Sequence, residues 1–194
     1  MRMARIGWLV IAAGILAGCG INNIPSYDEQ VKAAWAQVQN QYQRRADLVP
    51  NLVSTVQGYA AHEKDTLQAV IEARAKVSQM NVSPEILNDP AAFKAFEQNQ
   101  AALTSALSRL MVVVEAYPDL KANQNFLQLQ AQLEGTENRI SVARRDYIAA
   151  VQTYNTEIRT FPGRIWHALM YRDMKVRESF EAADGAQTAP VVKF

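Results

Sequence analysis

Asn123 to Gly163 reads NQNFLQLQAQLEGTENRISVARRDYIAAVQTYNTEIRTFPG. Phe126, Leu133, Ile140 and Tyr147 recur at sevens, and Val151, Tyr154, Ile158 and Phe161 continue the stripe at alternating threes and fours. That is a heptad-like period, which only a long helix with one apolar seam satisfies. The Pro162-Gly163 pair ends it.

Upstream, a second helix is expected to follow the turn chemistry of 81–90 (NVSPEILNDP), with Asp89 as N-cap and Pro90 at the first helical position. Its stripe is Phe93, Phe96, Leu103, Leu107, Leu110, Val114 and Tyr117, with Gln100 in the remaining slot. Further upstream, Tyr27 to about Met80 contains no glycine but Gly58 and no proline but Pro50. It carries Val49, Leu52, Val56, Tyr59, Leu67, Val70 and Val77 on one face. A kink or break is expected between Asp47 and Pro50, because proline removes a backbone donor and crowds the preceding turn. Gly58 is expected to be tolerated inside the helix. No strand pattern competes anywhere. The expected fold is all-α, an antiparallel up-and-down bundle of three to four helices with long first and last members. Ile165 to Tyr171 adds a short amphipathic piece. There Trp166, with Phe161, Ile165, Leu169 and Met170, either caps the bundle, which is the preferred reading, or touches a membrane surface.

The chain of 194 residues is 49% hydrophobic and 20% charged, enough for one ordinary domain with a sizeable core. Its formal charge of +1 depends on Arg2 and Arg5, and without them 18 basic residues face 19 acidic ones. This is no footprint of a nucleic-acid binder. The N-terminus pairs those arginines with an apolar, uncharged run, Ile6 to Gly18. At 1.5 Å per residue the run spans roughly 20 Å, short of a ~30 Å hydrocarbon core, which is the anatomy of a signal peptide. Leu16-Ala17-Gly18-Cys19 resembles a bacterial lipobox, and Cys19 is the only cysteine. Cys19 is therefore expected to be a lipidation site, with acyl chains holding the protein to a bilayer. The alternative is an uncleaved single-pass anchor over Ile6–Ile21 in an inner membrane. The expected organisation is a signal peptide over 1–18, a tether over 19–26, the bundle over 27–182 and a loose tail over 183–194.

Candidate chemistry is sparse. Only His62 and His167 are available, neither follows a glutamate by three residues, and the helix-borne zinc pattern that His62-Glu63 begins fails at Thr66. With no phosphate loop or nucleophile elbow, the chain is expected to be non-enzymatic and without a cofactor or metal. Charged residues do fall on the stripes: Glu63 and Arg74 on the first long helix, Glu137 and Arg144 on the last. They either form a polar layer that sets register or sit at the stripe's edge, because a heptad drifts by ~20° on a straight helix.

Asn40 to Arg74 (NQYQRRADLVPNLVSTVQGYAAHEKDTLQAVIEAR), Asn138 to Gly163 and Phe180-Glu181-Ala182 together resemble the signatures of the LemA family. The resemblance covers most of Val31 to Ala182. It implies a membrane-associated bacterial protein with a helical bundle and no catalytic residues to transfer. Many relatives begin with an ordinary transmembrane anchor, where this chain has LAGC. The candidate interhelical network or partner-contact residues are Arg45, Asp47, Glu63, Arg74, Glu137, Arg144 and Arg145. Expected pairings are Asp47 with Arg144 or Arg145, and Glu63 with an arginine across the bundle. The leading expectation is a lipid-anchored envelope protein facing the periplasm or cell exterior, docking other envelope or membrane proteins, with homo-oligomers allowed. The competing one is a sensor or carrier that binds a small ligand or metal ion through His62, Glu63 and facing carboxylates. Gly20 after the cysteine resembles outer-membrane sorting.

Overall fold

A computed structural model describes residues 20–80 and 83–180 of the chain. Cys19, the run Ile6–Gly18, Glu181-Ala182 and the tail lie outside the described residues. Among those described there are six α-helices and no strand: α1 (Asn23–Gln57), α2 (Lys64–Gln79), α3 (Pro90–Val114), α4 (Pro118–Lys121), α5 (Gln124–Arg159) and α6 (Gly163–Met170). A 3₁₀ turn, Pro84–Asn88, precedes α3 and buries Ile86 and Leu87.

Helices α1 and α5, of 35 and 36 residues, form the principal pair. Three contacts set their relative direction. Asn23 donates to Glu157 at 3.1 Å, Arg45 to Glu137 at 3.1 Å and Asn123 to the hydroxyl of Tyr59 at 2.9 Å. Rising positions on one helix thus meet falling positions on the other. The pairing follows from the stripes. On α1, Ile24, Asp28, Val31, Trp35, Val38, Tyr42, Arg45, Val49, Leu52 and Val56 are all buried, in steps of four and three.

Helix α1 begins before the expected Tyr27 and passes through Pro50 without a break. Pro50 is exposed, so its ring clears the core. The carbonyl it deprives of a partner, Ala46 O, accepts instead from Arg74 Nε at 3.4 Å. The expected interruption at 47–50 is therefore displaced to 58–63, where Gly58 caps α1 and the chain turns back into α2. Ala60, fully buried, anchors that turn. Two stripe residues are corrected with it. Tyr59 lies in the turn and is 45% exposed, and Phe161 lies past the end of α5 and is 81% exposed.

Asp89 caps α3, accepting from the amides of Ala91 and Ala92, and Asn123 caps α5 by accepting from Phe126. Two apolar clusters fill the interior. Trp35, Tyr42, Phe93, Phe96, Tyr147 and Phe180 dominate the first. Val56, Val70, Leu103, Leu110, Phe126 and Leu133 are central to the second. Trp35 lies 5.2 Å from Phe96 and 5.4 Å from Tyr147 between ring centroids, within the range where aromatic pairs add about 0.5–1.5 kcal/mol beyond burial. At the far end the Phe161–Pro162 peptide is cis. A Cβ on Gly163 would stand 2.2 Å from Glu157 O, so only glycine lets α6 start this close to α5.

Candidate functional site

Arg45 sits where the two apolar clusters meet, 1% exposed although it carries a permanent charge. Its helix phase forces it inward, and two neighbouring helices meet that demand. Nη1 donates to Thr104 Oγ1 at 2.8 Å and to Glu137 at 3.1 Å, while Nη2 donates to the side-chain and backbone oxygens of Gln100. Its guanidinium also lies 5.0 Å from the centroid of the Tyr42 ring. Nε has no hydrogen-bond partner among the described residues. A buried cation held this way ties α1 to both α3 and α5, and removing the enclosed acceptors on α3 would leave the charge under-solvated.

The other candidate residues divide. Glu137 and Arg144 join Arg45 along one groove, but each sits one position off the inward face of α5, which Thr136 and Ala143 occupy. For these two the drift of a straight helix out of heptad phase decides, placing them at the stripe's edge. Arg144 stacks its guanidinium over Phe180 at 4.2 Å. Asp47 does not take up the expected pairing: it is exposed and accepts from Gln43 of its own helix at 2.7 Å. Arg145 instead faces Asp146 at 3.7 Å, both exposed. Glu63 meets a phenol rather than an arginine. It precedes α2, outside the stripe, and accepts from the Tyr117 hydroxyl at 2.9 Å, which raises the phenol's pKa. Arg74 serves the free carbonyl at Ala46. His62 is exposed in the turn, and no group of three or more potential metal ligands occurs among the described residues.

Sequence reasoning missed a second buried charge pair. Asp28, 1% exposed, accepts from Arg177 Nε at 3.0 Å and pairs with Lys32 at 2.9 Å. Arg177 also donates to Asn88. This pair fastens the segment 171–180, which has no regular structure but crosses α5 as a strap. Tyr147 donates to Glu178 O at 2.6 Å and Tyr154 to Lys175 O at 2.9 Å, and Asn155 bonds both the amide and the carbonyl of Arg177 at 3.0 Å. Burial raises the pKa of both phenols, so they act as donors and not as bases.

The groove between α3 and α5, floored by Tyr42 and Arg45, encloses about 410 Å³. Its rim carries Glu97, Ser105, Ser141 and Arg144. This mix of two guanidiniums, carboxylates and hydroxyls over an aromatic floor suits binding of a polar group. Among the described residues that line it there is no histidine, cysteine or lysine.

The LemA family model matches residues 34–194. Magnetosome protein MamQ 2 of Paramagnetospirillum magneticum is 28% identical over 188 residues, covering 88% of this chain and 68% of that protein, and MamQ 1 of the same organism matches equally. Protein LemA of Metamycoplasma hominis is 25% identical over 140 residues, covering 72% of this chain and 60% of that relative.

Proposed function

The chain belongs to the LemA family, and on that premise we propose that it is a membrane-tethered envelope protein whose helical bundle is a non-enzymatic docking module. The observation that carries this reading is how the buried charges are used. Arg45, Asp28 and Arg177 are engaged in joining helices to each other and to the strap, and Arg45 at the same time floors the groove between α3 and α5. The bundle then presents a rigid grooved surface to another protein. We read its architecture as antiparallel and up-and-down, which the opposed pairings of Asn23 with Glu157 and Arg45 with Glu137 support.

The tether is assigned to Cys19 through a lipid anchor, with the bundle on the periplasmic or outer side. No helix among the described residues is long and apolar enough to cross a membrane. Crosslinking in cells followed by mass spectrometry, comparing the native protein with Cys19→Ser, tests the reading. The variant is expected to leave the membrane fraction and lose its neighbours. Retention of both would overturn it.

A second reading, a carrier of a small polar ligand, is favoured by the volume of the groove and the unpartnered Arg45 Nε. It requires a ligand-dependent rise in melting temperature by mass action. It places the ligand over Arg45 and not at His62, which lies exposed in the turn after α1.

A further inference from the structure

Helix α6 packs against the bundle with one side only. Gly163 is buried and Trp166 rests against the first apolar cluster, while His167 Nε2 lies 2.8 Å from Met174 O. The other side is bare. Ile165 and Leu169, one helical turn apart, are 46% and 66% exposed and share a hollow with Phe161, which just precedes the helix and is 81% exposed; Met170 is 58% exposed. The bundle-capping expectation thus holds for Trp166 and fails for its four apolar neighbours. A contiguous apolar face of this kind marks a surface meant to be covered.

Its position indicates the cover. Gly20, the first described residue, lies at the same end of the molecule, where a Cβ added to it would stand 3.8 Å from Pro162 Cγ. Gly20, the residue bonded to Cys19, therefore lies beside Pro162, between Phe161 and the start of α6. Arg159 and Arg164 line the hollow that contains Phe161, Ile165 and Leu169, and both are exposed. Apolar side chains ringed by arginines match the boundary between acyl chains and anionic headgroups, where the rings and aliphatic groups sink in and the guanidiniums stay at phosphate level.

We propose that the face formed by Phe161, Ile165, Leu169 and Met170 lies on the surface of an anionic bilayer, as a second contact beside the N-terminal tether. The inference rests on the tether reading above. Its consequence is orientation. One anchor lets a rod swing freely, whereas two adjacent contacts restrict its tilt and hold α1 and α5 away from the membrane. Arg45 is then carried roughly 30 Å along α1 from its start.

The test places a benzophenone amino acid at Leu169, Phe161 or, as control, Val112, an apolar residue 73% exposed in the other half of the bundle. The full chain is reconstituted into phosphatidylcholine vesicles with or without phosphatidylglycerol, irradiated and analysed by mass spectrometry. Lipid adducts are expected at 169 and 161 well above those at 112. They should rise with phosphatidylglycerol and fall by on the order of fivefold per arginine in R159Q and R164Q. Adducts to a second copy, or no excess over position 112, would overturn the inference while leaving the tether intact. A chain that fails to float with the vesicles would overturn both.

Discussion

Arg45 and Glu137 share a hydrogen bond but not an environment, and the difference sets what each contributes. Arg45 is enclosed, whereas the Glu137 side chain is 40% exposed and can be replaced as an acceptor by water. Arg45→Ala should therefore destabilise the bundle by about 2–4 kcal/mol, because the acceptors on Gln100 and Thr104 lose their donor inside the core. Glu137→Gln should change stability by no more than about 1 kcal/mol. Urea unfolding midpoints of the two variants check the ranking. Tyr147 offers a pH-dependent counterpart. Burial holds its phenol above the ordinary value of 10.0, so the folded chain keeps a proton that the unfolded chain releases. This contribution to stability is complete below the unfolded value and declines as pH rises through the folded one. Tyr147→Phe should cost about 1 kcal/mol near neutrality through the lost bond to Glu178 O, and should flatten the alkaline fall in melting temperature above about pH 10. Some slope should remain, since Tyr42 and Tyr154 are raised in the same direction.

At the scale of elements, helix boundaries follow local punctuation only where tertiary contacts agree with it. Asp89-Pro90 starts α3 as capping chemistry requires. Pro50 does not end α1, because its ring faces solvent and the carbonyl it frees finds Arg74 on a neighbouring helix. Pro50→Ala should thus restore a ladder bond and stabilise the chain by about 1 kcal/mol, less than the ~3 kcal/mol of an uncompensated interior proline. Thermal unfolding of P50A checks this, and a decrease in stability would mean that the helix depends on a bend there. Gly58 ends α1 instead, for the turn to Ala60 buries a residue that a continued helix would carry past the core.

For the whole molecule, the strap over 171–180 closes a structure whose helices pair mainly as α1 with α5 and α2 with α3. Phe180 completes the aromatic cluster, 5.1 Å from Phe93 and 5.5 Å from Tyr147 between centroids. Phe180→Ala should destabilise by about 3–5 kcal/mol and lower near-ultraviolet circular dichroism from the cluster. It should also free Arg144, whose guanidinium would lose the ring beneath it. The groove lies beside this contact, so the strap shapes one wall of the proposed docking surface as well as the core.

All-helical character, the α5 seam and the α3 seam were readable in order of residues, because a helix displays its buried face at a fixed local period. The continuation of the α1 stripe was readable too: Asp28 and Arg45 fill slots among Ile24, Val31, Trp35, Tyr42 and Val49, and extending the pattern upstream of Val49 would have revealed both as buried charges. Their partners could not be read in this way. Arg177 reaches Asp28 across 149 positions, and Gln100 and Glu137 reach Arg45 across 55 and 92. Which charge meets which depends on how rods pack side by side, and periodicity within one rod carries no information about its neighbour's rotation. The bare face of α6 is of the same kind, since local spacing made it amphipathic but only packing decided that Trp166 turns inward and Leu169 outward.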